Sequence, residues 1–187
     1  MFLTPNQLAA LLADINKDPV LSILPVNGDT SQAIATAYNL PSSPVVNAWR
    51  TEVPISNIYD AITWTNYTPN DAPDITTIFT NRALVIQTKQ MNLQNILQGR
   101  STIDSSKANV RAGLRDAVIL LPAGTGGAMV SAGGLGGATV LAACLRIATR
   151  AEALYATTQS TTGTITGNLL VFEGSISGTE VQIARTS

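Results

Sequence analysis

Leu8, Leu11, Leu12 and Ile15 recur at i, i+3, i+4 and i+7, so one apolar stripe runs down a helix near the start of the chain. Its beginning is marked: Thr4 can cap, Pro5 suits the first helical position, and Gln7 completes a capping box. Asp18-Pro19 stops this helix and starts a short turn. A second helix is predicted over residues 30–38, with the run PSSP after it as loop. Ile55, Ile58, Tyr59 and Ile62 repeat the helical spacing. Beyond the proline-broken loop TNYTPNDAPD, Asp74 opens a long helix carrying Ile75, Ile78, Phe79, Ala83, Ile86, Leu93 and Leu97, and Gly99 caps its end. In SSKANVRAGLRDAVILLP, Val110, Leu114, Ala117, Val118 and Leu121 share one face and Pro122 ends the helix. Leu141, Cys144, Ala148, Ala151 and Tyr155 mark a last long helix.

Past Tyr155 the pattern changes. Residues 157–166, TTQSTTGTIT, read as a polar flexible loop, and LLVFEGSIS reads as a strand from its β-branched and aromatic content. Ser177 with Glu180 forms another capping box, which predicts a short terminal helix over EVQIAR. The expected fold is mainly α: a helical bundle-like domain over residues 1–156, then a segment 157–187 of flexible loop, β-strand and short terminal helix.

Between the last two helices of the first domain lies GTGGAMVSAGGLGG, residues 124–137, of which half are glycine. A Walker A loop needs a lysine after its glycines, and no lysine lies beyond residue 107. A dinucleotide fingerprint places its third glycine at Met129 or Thr139, and the preceding segment has a helical period rather than that of a strand. Ser131 sits in an elbow-like MVSAG, but the chain has no histidine to serve as its base and no Ser-x-x-Lys pair. The stretch is therefore expected to be an irregular crossover over residues 122–137, mobile in a free subunit and fixed by a neighbour.

Composition sharpens the reading. The 187 residues are 45% hydrophobic and only 12% charged, about half the usual charged share. Such a chain has little surface to leave in water, which suits a subunit covered by other subunits. Without histidine the commonest general base and metal ligand is missing, so neither an enzyme nor a cofactor or metal site is expected. The single Cys144 makes no internal disulfide, and it falls on an apolar face as a small buried hydrophobe. The N-terminal stretch has no basic segment followed by an apolar core, so no signal peptide is expected. The net charge of −1 is unevenly placed: residues 1–80 carry −5 and residues 81–187 carry +4. Opposite signs in the two halves suit subunits that meet head to tail.

Candidate contacts follow from spacing. Lys107, Arg111 and Arg115 recur every four residues, with Arg100 just upstream. They read as a solvated flank whose stems cover the core, or as a contact to phosphates or to an acidic neighbouring subunit. No aromatic residues interleave with this basic row, and Trp49 and Trp64, near Tyr59 and Tyr67, read as core or interface anchors rather than as a base-stacking platform. The 29 uncharged residues between Asp116 and Arg146 are long enough to cross a bilayer, but seven glycines and Pro122 argue for a crossover and against a membrane span.

Several stretches carry a resemblance: LTPNQLAALLADINKDPVL, IATAYN, VNAWRTEVPISNIYDAI, SSKANVRAG, ATRAEALYAT, LLVFEGSIS and VQIAR. Together they resemble a family of virion structural proteins of tailed bacteriophages and prophages, most specifically over residues 148–157 and 170–185. The glycine-dense run departs from the family's pattern. Within a virion, a mainly helical chain of this size resembles the head-to-tail adaptors of the neck. That resemblance implies a homo-oligomeric ring of about twelve copies, with the portal protein and the next neck or tail protein as partners. It also implies proximity to packaged double-stranded DNA without base recognition, no membrane, and a place at the head-tail junction after assembly in the host cytoplasm. A tail terminator or a minor capsid or tail protein is the nearest alternative, and a membrane-active phage protein is the alternative of another class.

Overall fold

The computed structural model describes residues 2–69, 76–125 and 128–187. In chain order, α1 (Pro5–Lys17) and α2 (Gly28–Tyr38) are followed by β1 (Asn47–Trp49), β2 (Val53–Pro54), α3 (Ile55–Asp60) and a 3-10 turn at Trp64–Tyr67. The long α4 (Thr76–Leu97) leads to β3 (Thr102–Ile103), α5 (Ala108–Val118), a 3-10 turn at Leu135–Gly137 and α6 (Ala138–Ala143). The chain closes with β4 (Leu145–Ile147), α7 (Arg150–Leu154), β5 (Ala156–Thr162), β6 (Ile165–Leu170) and α8 (Gly178–Thr186). About half of the chain is helix and 16% is strand. Helix predominates as expected, but the architecture is mixed α/β, with no helical bundle among the described residues.

The chain forms two compact units. The first comprises Met1–Ala48, Ile147–Thr158 and Asn168–Ser187; the second comprises Trp49–Arg146 and Gln159–Gly167. Residue 156, after which the sequence suggests a boundary, is the first residue of β5.

In the first unit, local chemistry starts each helix. Reciprocal capping boxes join Thr4 to Gln7, Asn27 to Thr30, Thr149 to Glu152 and Ser177 to Glu180, so each helix begins with its first free N–H groups satisfied. Asp18 caps the end of α1, and its carboxylate then accepts from Val20 N and Leu21 N to shape the next turn. Leu11 and Ile15 of α1, Ile34 and Tyr38 of α2, Tyr155, Phe172, Ile176 and Val181 of α8 form one buried cluster. Asn39 locks the C-terminal end of α2 to the chain before α8: its amide donates to Ile176 O and its side-chain oxygen accepts from Ile176 N. Within this unit β1 runs parallel to β6, with Ala48 opposite Asn168.

In the second unit, α4 lies beside α5, and β2 pairs antiparallel with β3, Val53 facing Ile103. Ile58, Ile86, Leu93, Leu97, Leu114 and Val118 are buried here. Gly99 takes φ of +73° just past α4, the left-handed position expected of it as a helix stop. The expected opening of α4 at Asp74 and Ile75, and the side chains of Ile78 and Phe79, lie outside the described residues.

Four expectations need correction. Residues 141–155 are not one helix but α6, β4 and α7. Thr149 adopts an extended backbone (φ −69°, ψ 165°) and caps a new helix through Glu152, so the i, i+3, i+4 pattern continues across a break. Residues 157–166 are not a flexible loop. They form most of β5, a turn through Gly163 at φ +61°, and the start of β6, because β-branched threonines suit an extended chain. The strand expected in LLVFEGSIS therefore starts and ends earlier, and its later residues Phe172 and Ile176 are buried core side chains outside any strand. α5 also stops at Val118, ahead of Pro122, and Leu121 then pairs with Val130.

Candidate functional site

The row of cations spaced by four on and before α5 does not form a basic stripe. Lys107 is the exposed residue preceding α5, with its ammonium 3.4 Å from Asp104. Arg111 is fully buried. Its Nη1 donates to Ser105 O at 2.6 Å and Ser106 O at 2.7 Å, its Nε donates to Thr162 Oγ1 at 3.0 Å, and its Nη2 donates to Ser160 Oγ. The guanidinium lies 4.5 Å from the ring centroid of Trp49. Trp49 is itself fully buried and donates from Nε1 to Ser160 O at 2.8 Å. Arg115 is half-buried and donates from Nε to Gly136 O at 3.1 Å. Arg100 is exposed beyond α4.

Arg111 and Trp49 are therefore removed from the set of surface contacts, while Arg100, Lys107 and Trp64 remain exposed. The signal for Arg111 was present in its spacing. It precedes Leu114 and Val118 by three and seven residues, which places it on the buried face of α5. A buried cation held by neutral acceptors and an aromatic face is a structural tie that binds the β5–β6 turn region to α5.

Burial also governs the titration of this unit. Desolvation holds the Arg111 guanidinium below its ordinary range, pushes the Cys144 thiol up to about 11, and raises the Tyr67 hydroxyl to about 12. Tyr67 donates to Ala117 O at 2.9 Å, so its neutral form is the bonded one. In the unfolded chain the thiol ionises near pH 9, the folded thiol only about two units higher. The stability from keeping it neutral is complete below pH 9 and is lost as pH rises toward 11. Denaturant unfolding between pH 8 and 11 should show this fall, of about 2 kcal/mol from the thiol. Cys144→Ala should flatten the slope; an unchanged slope would remove the thiol from the account.

An aromatic face lies on the same unit. Trp64 and Tyr59 are exposed, their ring centroids 5.6 Å apart, and Trp64 stands 5.8 Å from the buried Tyr67. Trp64 Nε1 donates to Tyr59 O at 3.2 Å, which fixes the orientation of the indole. Leu93, Leu97 and Gln94 of α4 close a cavity of about 120 Å³ beside it.

The first unit holds a larger cleft of about 580 Å³, bordered by Asp14, Asp18, Leu40, Pro41, Arg150 and Leu154. Arg150 bridges the two carboxylates, 3.1 Å from Asp14 and 3.0 Å from Asp18, and its guanidinium lies 4.3 Å from the ring centroid of Tyr38. Tyr38 donates to Asp14 at 2.6 Å. Backbone N–H bonds from Leu21 and Val20, then the Arg150 contact, hold Asp18 below the usual carboxylate range. Burial and the bond to Asp14 push the Tyr38 hydroxyl up. No local pattern announces this cluster, because Arg150 lies more than a hundred residues from Asp14 and Asp18 in the chain. Arg150 ties α7 to α1 and to the turn after it through both carboxylates.

The described part of the glycine-dense stretch is held by its own unit. Val130 and Leu121 exchange backbone hydrogen bonds, Ala132 N donates to Val118 O, and Thr139 N donates to Gly133 O. Gly134, Gly136 and Gly137 take φ of +73°, +62° and +84°, a conformation side chains disfavour. A Cβ on Gly134 would lie 2.7 Å from Thr139. Leu135, set among these glycines, is 92% exposed. Between residues 128 and 139 these backbone hydrogen bonds are internal to one chain.

Comparison with protein-family models, with curated proteins and with solved structures gave no match. Among the described residues, no helix is long and apolar enough to cross a membrane.

Proposed function

We propose that this chain is a structural subunit of a tailed-phage virion, a head-to-tail adaptor that forms a ring beneath the portal. The observation that carries the proposal is the amount of apolar surface left open by a chain with so few charges. Phe2, Ile23 and Leu135 are each at least 80% exposed, and Val20, Leu40, Val45, Leu84, Met91 and Met129 are exposed as well. Apolar side chains open to water in this number suit contact with further copies of the same chain, as in a ring. The resemblance of residues 148–157 and 170–185 to tailed-phage virion proteins supplies the setting.

In this reading the portal and the next neck or tail protein bind the two ends of the ring. Packaged DNA passes through it without base-specific contact, and exposed Arg100 and Lys107 are the residues available to phosphates. The role is structural and needs no cofactor. Native mass measurement of the purified chain, alone and with portal rings, tests it: a closed ring or a portal-bound assembly is expected. A chain that stays monomeric and ignores portal rings would sink the proposal.

A further inference from the structure

Leu135 and an apolar pocket lie on opposite sides of α5, an arrangement suited to linking one copy of the chain to the next. α4 covers one side of α5: a Cβ on Gly113 would stand 3.2 Å from Ile96, and Lys89 of α4 bonds to Asp116. The glycine turn covers the other side: a Cβ on Gly137 would stand 3.2 Å from Arg115 and 3.5 Å from Ile119. At about 100° per residue, Arg115 lies about 200° round the helix from Gly113.

On the glycine side, Leu135 projects into solvent from a turn with little freedom. Gly137 N donates to Gly134 O, Thr139 N to Gly133 O and Arg115 Nε to Gly136 O. A leucine presented in this way is a pre-ordered anchor, since little further ordering is needed when it docks. On the α4 side, Val85, Pro122 and Met129, with Asn81 and Arg82, border an open pocket of about 220 Å³. Exposed Leu84 and Leu120 add to the apolar surface of this unit. Arg115 flanks the anchor; on the α4 side Arg82 borders the pocket and the Asp116 carboxylate stands 67% exposed against 13% for its partner Lys89.

We infer that Leu135 of one copy seats in the Val85–Met129 pocket of a second copy, with Arg115 of the first facing Asp116 of the second. Because anchor and pocket occupy opposite sides of one helix, the contact is heterologous, and its repetition builds a ring or filament and not a two-fold dimer. The inference rests on the ring reading above and names the surface that makes the ring.

Cross-linking tests it. The double variant Leu135→Cys/Val85→Cys, treated with a short bismaleimide, should give a ladder of covalent multimers. Each single variant alone should stay uncoupled, and an equal mixture of the two singles should stop at dimers. Native Cys144 is buried with its thiol pushed up to about 11, so it stays silent. Leu135→Asp should weaken self-association at least about tenfold with unchanged thermal unfolding of the subunit, while Leu135→Met should assemble normally. Cross-linking by Leu135→Cys alone would mean a two-fold contact and overturn the inference. So would a chain that assembles yet gives no ladder and tolerates Leu135→Asp; the ring reading would then survive on another surface. A wild-type chain that never associates, alone or with portal rings, would overturn both.

Discussion

Arg111→Ala should destabilise the protein by about 3–5 kcal/mol, the largest effect expected of any single substitution considered. The side chain is fully buried and places donors on two carbonyl oxygens and two hydroxyls. Removing it leaves Ser105 O and Ser106 O short of a partner, uncovers one face of Trp49, and opens a cavity. No carboxylate touches the guanidinium among the described residues, so deletion strands no opposite charge, and the cost is that of unpaired acceptors and lost packing. Arg111→Met separates those two parts, because it fills much of the space without donating. It should still cost about 2 kcal/mol. Arg111→Lys should recover little, since a single ammonium cannot reach four acceptors arranged around a planar fork. Denaturant unfolding measures all three, and a Met variant as stable as wild type would show that the hydrogen bonds contribute nothing net.

Glu180→Ala should cost about 2–3 kcal/mol in the first unit. One carboxylate oxygen accepts from Leu3 N at 2.9 Å and the other from Ser177 N at 2.8 Å, with the Ser177 hydroxyl also donating to it. The same side chain therefore caps α8 and fastens the segment before α1, at a site where it is almost fully buried. Glu180→Gln keeps one good acceptor and should lose about half as much. Hydrogen exchange distinguishes the two jobs: the Leu3 amide should lose protection in both variants, whereas Glu180→Asp, too short to span, should release Leu3 while retaining part of the cap. Unchanged protection at Leu3 in the Ala variant would separate this residue from the N-terminal segment.

What could be seen in the sequence was local. Thr4 with Gln7 and Ser177 with Glu180 announce helix starts because both partners of each box lie within one turn. Thr149 with Glu152 carries the same signal, but the apolar spacing of Leu141, Cys144, Ala148, Ala151 and Tyr155 runs across it and reads as one helix. All five are buried, so the pattern is real, but Cys144 belongs to the second unit and Tyr155 to the first. Polarity misled at TTQSTTGTIT, where strand formation depends on anchors remote in sequence: Arg111 holds Ser160 and Thr162, and Trp49 reaches Ser160 O. Basic residues repeating every four suggested a surface row, whereas alignment of Arg111 with Leu114 and Val118 places it inward. The Arg150 cluster with Asp14, Asp18 and Tyr38 left no local trace. Each member looks like an ordinary helix residue until distant segments meet.

The discontinuous make-up of the first unit bears on how the chain is made. Its helix α8, contributed by the last segment, packs on α1 and α2 from the first segment. During synthesis the apolar stripe of Leu11 and Ile15 therefore leaves the ribosome long before Val181 exists to cover it. At about 5–20 residues per second that interval lasts on the order of ten seconds. Nearly all of the second unit, residues 49–146, emerges within the same interval and can begin to fold first, so the segment made earliest is completed last. While it waits, its open face is the one most exposed to a chaperone or to another nascent copy.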